Sequence, residues 1–359
     1  MPILDVDNLT LNPQEVEDYA AFIFERVFFM PELQRLHGVQ TGVTMKEQIV
    51  FASKMGKTGI KADGTCDRVS SGATSNMSEK YWEPVGIEDL LQHCNIEMNG
   101  LFKAAFKKIK EYQDKYDIEG TETEVFIMQL IEESMVELIW RAAWFGDTAV
   151  AAADAGNAGL ADVANVKFYD YFDGIWKQIF TGVTATDITR FTISKNSLTD
   201  PAAQKALGSG ECITIFEGMW ANADVRLRGH ADKLLYVSHT IWENYRQYLT
   251  TKGENFTIEY TMQGFPMLDW QGVPIVDMEV VWDKDPYVDF VQDTTNNALY
   301  LPNRAVLTIP ANIPIGTLND KNMKELDSWY NKDTRKNNYA FGFTEDAKVL
   351  EEYMITVAY

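Results

Sequence analysis

The side chains able to do chemistry are few in this chain, and their spacing is uninformative. Four histidines (His37, His93, His230, His239) and three cysteines (Cys66, Cys94, Cys212) are scattered along it. Only His93 and Cys94 are neighbours, and no second Cys/His pair stands close enough in sequence to complete a zinc-type ligand set. An odd number of widely spaced cysteines also argues against a disulfide framework. Gly56-Lys57-Thr58 ends like a phosphate-binding loop. That motif needs a glycine five positions before Gly56, where Phe51 stands, and a helix after the threonine, where Gly59 and the turn at Asp63-Gly64 follow instead. Asp283, Asp285 and Asp289 lack the glycine and terminal glutamate of an EF-hand loop and read as turn and surface acids. No G-x-S-x-G, H-E-x-x-H, G-x-G-x-x-G or C-x-x-C occurs. We therefore assign no catalytic, cofactor-binding or metal-ligating residue and do not read the chain as an enzyme. Two acids need no local motif to form an active site, so a soluble two-domain enzyme with dispersed carboxylates stands as the alternative from a different class.

One group is out of keeping with its surroundings. Lys54, Lys57, Lys61 and Arg68 form a basic island in a chain of net charge −21. The plain reading is a solvated loop, and the sharper one is docking onto an acidic neighbouring subunit. The overall charge repels phosphate, and no basic stripe suited to gripping DNA is present. Binding to anionic lipid is disfavoured for the same reason.

The elements that must position these residues follow from pattern. With 359 residues, 46% of them apolar and 24% charged, the chain belongs with folded proteins and is long enough for two domains or one elaborated one. No run of 18 apolar residues suggests a membrane span. The acidic start MPILDVDNLTLNPQEVEDY has no signal-peptide core, which predicts a protein kept in a cytoplasm or released by lysis. Residues 122–145 carry apolar side chains at Ile127, Ile131, Met135, Leu138, Ala142 and Phe145. That stripe predicts a helix about 36 Å long, opened by a capping box at Thr121/Glu124 and stopped by Gly146. A first helix with Pro13 in its opening turn bears Tyr19, Phe22, Phe24 and Phe28 and reads as an arm packing on something large.

Between them, ASKMGKTGIKADGTCDRVSSGATSNMSEKYWEPVG (52–86) is too poor in large aliphatics to bury a core of its own. It predicts a long two-stranded hairpin needing a partner surface. Further on, Phe168, Phe172, Ile175, Trp176 and Ile179 share a helix face closed by Gly182. Asp200-Pro201 starts a helix, LLYVS is a buried strand, and Thr240 with Glu243 caps the helix after it. Asp269-Trp-Gln-Gly272 turns a strand pair, a short helix is expected around 346–352, and the chain closes with a strand over 354–359.

This order of elements resembles the major capsid proteins of tailed bacteriophages, the Hong-Kong-97-type fold shared with encapsulins. WRAAWFGDT (140–148) resembles the end of that family's spine helix, and FYDYFDGIWKQI (168–179) the helix that opens its axial domain. ADKLLYVSHTIWENYRQYL, MLDWQGVPIVDMEVV and NRAVLTIPANIPIG resemble its later strand–helix, strand-pair and return segments.

The resemblance implies an α+β fold with an N-terminal arm (1–35) and an extended loop (36–86) lying over a neighbour. It implies a discontinuous peripheral domain (87–168 and 311–359) and an axial α/β domain (169–310). Subunit-interface candidates are Lys54, Lys57, Lys61, Arg68, Phe22, Phe28 and Trp82. The implied function is self-assembly into pentamers and hexamers of an icosahedral head around a double-stranded DNA genome held without sequence-specific contacts. A portal and a separate or cleaved scaffolding protein would take part, since only about 12 residues precede the first helix. An encapsulin-like compartment enclosing a protein cargo is the nearest alternative.

Overall fold

The computed structural model describes residues 36–43, 47–52, 57–61, 71–74, 77–93, 122–149, 167–253, 259–260, 266–283, 292–293, 298–299, 301–318 and 327–359. The strands are β1 Val39–Thr41, β2 Gln48–Ala52, β3 Met77–Tyr81, β4 Val85–His93, β5 Thr189–Phe191, β6 Leu234–Val237, β7 Glu259–Tyr260 and β8 Pro266–Trp270. They continue as β9 Val273–Asp277, β10 Gln292–Asp293, β11 Ala298–Leu299, β12 Ala305–Thr308, β13 Ile315–Thr317, β14 Asp327–Asn331, β15 Lys336–Ala347 and β16 Ile355–Ala358. The described α-helices are α1 Glu122–Phe145, α2 Ile175–Thr184, α3 Pro201–Lys205, α4 Glu211–Asn222, α5 Val225–Arg228 and α6 His239–Lys252.

A seven-stranded mixed sheet in the order β5-β16-β12-β6-β9-β8-β7 forms one centre. Alternation along its strands sends side chains to two cores. Tyr236, Val276, Val306, Ile355 and Val357 face the helices α1 and α2. Leu235, Val237, Ile275, Ala305 and Leu307 face α4 and α6. Buried on both sides, the central strands have no polar face, which is why LLYV and AVLT are unbroken apolar or small runs. Strands β8 and β9 meet through a two-residue turn in which Gln271 (φ +51°) and Gly272 (φ +80°) both take the left-handed region. Such a turn matches the twist of the paired strands, and the Asp269 carboxylate accepts the Gly272 N–H at 2.7 Å.

A five-stranded sheet forms the second centre. The 12-residue strand β15 is paired by β4 along one edge, by β14 over its first half along the other, and by β13 at its end; β1 adds to β13 in parallel. Helix α1 ties the two sheets together. Ile127, Ile131 and Met135 near its start pack with Tyr339 of β15, with Leu91 and Phe341 against them. Leu138 to Phe145 enter the core beneath the seven-stranded sheet. All six stripe residues are buried, and burying each large one contributes about 2 kcal/mol.

Three sequence expectations are corrected here. The closing strand, expected in the peripheral part with 311–359, pairs instead with β12 and β5 of the seven-stranded sheet; its residues are apolar on both faces and suit a doubly covered position. The helix expected around 346–352 is absent, because Asp346 and Ala347 continue β15 and pair with β13. Residues 36–43 belong to the body rather than to the loop: Leu36 and Val43 are buried and β1 lies in the five-stranded sheet. Two smaller points differ as well. Gly182 lies inside α2, which begins only at Ile175. The α6 N-cap is Ser238; Thr240 donates instead to Asn303 at 2.7 Å and Glu243 pairs with Arg246.

Candidate assembly interface

The segment between β1 and β4 leaves the body as a two-stranded ribbon. Strands β2 and β3 pair antiparallel from Gln48↔Tyr81 to Ala52↔Met77, and among the described residues no further strand adds to them. Beyond the ladder, the described residues 57–61 and 71–74 have no regular structure, and Lys57 and Lys61 are exposed. Val50, Ile60 and Tyr81 expose much of their apolar side chains along the ribbon. A two-stranded ribbon of this kind is marginal in water without another surface to cover it.

The root of the ribbon is held firmly. Trp82 is fully buried, and its indole lies over Gly316 of β13, where an added Cβ would come within 2.7 Å of the ring. The Trp82 N–H donates to Glu47 O at 2.9 Å, closing the base of the ladder. Lys80 donates to Val349 O at 2.7 Å and pairs with Glu352 at 2.5 Å. The Glu83 N–H donates to the Asp346 carboxylate at 2.8 Å. Gln48 and Glu79 hydrogen-bond across the two strands.

Beneath this root lies an aromatic hub. Trp144 of α1 meets Trp282 edge-on at 5.0 Å, and Trp176 of α2 meets Trp282 at 5.1 Å. His37 packs edge-on against Trp140 and Trp144. It sits between a donor and an acceptor, because Trp144 Nε1–H donates to His37 Nε2 at 3.1 Å while His37 Nδ1 lies 2.8 Å from Ile313 O. That arrangement requires the neutral Nδ1–H tautomer. Burial accordingly lowers the His37 pKa from the usual 6.5 to about 4, with the bond to Ile313 opposing the shift. The chain leaves α1 through a glycine crossing: Gly174 N–H donates to Gly146 O at 2.8 Å, and a Cβ on Gly146 would come within 2.3 Å of Phe172 O.

Acidic groups flank the hub. Asp147, almost wholly buried, pairs with Lys177 at 3.0 Å. Glu345 and Asp346 are both fully buried at the end of β15. Asp346 has Lys348 at 3.2 Å, whereas neither Glu345 oxygen has a hydrogen-bond partner among the described residues. Burial first, and the neighbouring Asp346 second, hold the Glu345 pKa well above the ordinary carboxylate range.

The sequence-derived interface candidates divide accordingly. Lys57 and Lys61 stand exposed on the ribbon. Trp82 is buried within its own subunit rather than at its surface, with its ring against Gly316, where a side chain would collide with it. Phe22, Phe28, Lys54 and Arg68 lie outside the described residues, as do Cys66, Cys94 and the capping residue Thr121. Cys212 is a buried free thiol whose pKa burial pushes up to about 12, which leaves it inert. His37, Lys80 and Gly316 escaped the sequence reading; only a buried glycine in an apolar run, IPIGT, hinted at the Trp82 contact.

No protein-family model matches the sequence, and no curated relative does. Solved structures do match. A structure from Gordonia phage Cozz aligns over 95% of this chain and 90% of its own at TM-score 0.57 and 8% identity. The capsid of an empty GTA particle aligns over 95% and 92% at TM-score 0.51 and 10% identity. The procapsid of satellite phage P4, solved with its size determination (Sid) protein, aligns over 91% and 86% at TM-score 0.50 and 10% identity. The chain has the Hong-Kong-97-type capsid fold. Helix α1 covers the residues 122–145 that the apolar stripe predicts as a helix.

Proposed function

We propose that this protein is the major shell protein of a tailed-phage-type particle. Copies join as pentamers and hexamers into an icosahedral head that encloses double-stranded DNA. The observation that carries the reading is the joining of a capsid fold, matched over nearly the whole chain, to a ribbon rooted in the body and exposed beyond its root. In this reading the seven-stranded unit is the axial domain, the five-stranded unit with α1 is the peripheral domain, and the ribbon is the extended loop.

Lys57 and Lys61 dock on the acidic surface of a neighbour, with Lys54 and Arg68 completing the island, and the arm carrying Phe22 and Phe28 locks a further contact. The net charge of −21 leaves the packaged DNA loosely held, without sequence-specific contacts. Assembly takes place in the bacterial cytoplasm with a separate scaffolding protein and a portal, and the product is a virion shell. The capsid fold favours a structural role over catalysis.

Negative-stain microscopy of the expressed chain, alone and with a co-expressed scaffolding protein, tests this. Closed particles containing DNA or empty heads support it; a monodisperse monomer under both conditions rejects it, and particles that enclose one protein cargo identify an encapsulin-like compartment instead. Deleting residues 55–76 keeps the β2–β3 ladder, since Met77 and Ser78 pair with Ala52 and Phe51. The deletion variant is expected to fold with unchanged circular dichroism yet form no closed particles.

A further inference from the structure

A second feature lies away from the ribbon, at the carboxyl ends of two parallel strands of the seven-stranded sheet. Strands β6 and β9 pair in parallel, with Val237 opposite Asp277. The residues just beyond them bring an imidazole and two carboxylates together. His239, the first residue of α6, places Nδ1 2.8 Å from Asp277 Oδ2 and 3.3 Å from Glu279 Oε2. The three donor atoms all lie within 4.8 Å of one another. From this juxtaposition we propose that His239, Asp277 and Glu279 bind a divalent transition-metal ion, of the zinc class, on each subunit.

The reasoning begins with protons. A single Nδ1–H can donate fully to one acceptor, and here two carboxylates converge on it. A divalent ion in place of that proton serves both acids and the ring nitrogen together. Bonds of about 2.0–2.2 Å from such an ion set donor atoms roughly 3–4 Å apart. Here the ring nitrogen stands 2.8 and 3.3 Å from the two carboxylates and all three donors fall within 4.8 Å, so a small outward shift admits the ion.

The carboxylate that matters most is already positioned. Asp277 is only 2% exposed, and its other oxygen accepts the Glu279 N–H at 3.0 Å, so the group is held by the backbone rather than by the ion. Glu279 is more than half exposed and closes the site from the solvent side. The His239 ring is stacked on Trp242 at 5.9 Å, which restricts its rotation.

The positive end of α6 opposes a cation with roughly half a unit charge; two carboxylates outweigh it. One imidazole with two carboxylates suits zinc, nickel or iron better than calcium or magnesium, which take all-oxygen sets. Three protein ligands leave a fourth position for water. A filled site would pin the start of α6 to the ends of β6 and β9, stiffening the tip of this unit.

The test uses the full chain. Zn²⁺ titrated calorimetrically and Co²⁺ followed by visible absorption are compared in wild type, Glu279→Gln and His239→Gln. We expect saturation at one ion per chain, and at least about tenfold weaker binding in both variants. Glu279 lies at the surface, so its variant is expected to keep the fold, which circular dichroism checks. No saturable uptake by the wild type overturns the proposal. So does equal uptake by all three proteins, which would mark diffuse binding to an acidic surface.

Discussion

His37 and Glu345 are two buried ionisable groups that tilt stability in opposite directions with pH. His37 is neutral in the folded protein because both ring nitrogens are committed and no water reaches it. Its folded pKa of about 4 lies below the usual 6.5, so its contribution is present above pH 6.5 and is lost as pH falls through the folded value. A shift of that size corresponds to about 3 kcal/mol. Replacing it as His37→Asn is expected to lower the melting temperature at neutral pH and to flatten the fall between about pH 6.5 and about pH 4. Thermal unfolding across that range checks both parts; a variant as acid-sensitive as wild type contradicts it.

Glu345 works the other way. Its folded pKa is raised, so stability present below the usual carboxylate range is lost as pH rises toward the folded value. Glu345→Gln is therefore expected to be near neutral in acid and to raise the melting temperature at about pH 8. A variant less stable than wild type at both pH values would show that the charged acid is needed. Neither group was legible in the sequence. His37 stands in a stretch read as the beginning of a loop, and Glu345 stands just before the helix expected around 346–352. The carbonyl of Ile313 that faces His37 lies 276 positions away, and the Glu83 N–H that donates to Asp346, beside Glu345, lies 263 away from it.

Among the elements, those specified locally were the readable ones. The stripe of α1 and its stop at Gly146 required only a 3.6-residue period and one close backbone approach. The hairpin at Asp269-Trp-Gln-Gly272 and the start of α3, where Asp200 accepts the Ala203 N–H at 2.9 Å, are equally local. Non-local choices went astray. Thr240 and Glu243 have the capping-box spacing, but Asn303 and Arg246 compete for their side chains. Likewise His239 and Asp277 lie 38 positions apart, so only the shared fact that each ends or follows a buried strand run could have drawn attention to them.

The ribbon root supplies the prediction at this scale. Gly316→Ala puts a Cβ within 2.7 Å of the Trp82 ring. It is expected to cost about 1–3 kcal/mol, as overpacking does, and to speed hydrogen exchange in the β2–β3 ladder. Gly86→Ala, on β4 of the same sheet with open space around the new methyl, is the control and is expected to leave both unchanged. Equal exchange in the two variants would mean that Trp82 does not hold the ribbon.

For the whole molecule, helix α1 and one core cluster join the two sheets: Val306 and Val357 of one and Ile315 and Phe343 of the other lie in the same cluster with Leu138 to Phe145. The ribbon has no comparable core among its described residues. In the shell proposed above, the ribbon root around Lys80, Trp82 and Glu83 is where the ribbon's position relative to the body is set. The α+β character could be read from element order. The sheet that receives the last strand could not, because strand pairing across hundreds of residues leaves no local mark.

That last strand sets a clock. Strand β16 is not at an edge: it stands between β5 and β12 and supplies Ile355 and Val357 to one core and Ala358 to the other. Because β16 pairs with both neighbours, the central sheet cannot close on a nascent chain until residues 355–358 have been made. A polypeptide released early, short of residue 355, has a gap in its middle rather than a frayed margin. Loss of residues 355–358 would open the sheet between β5 and β12 and bare both of its cores.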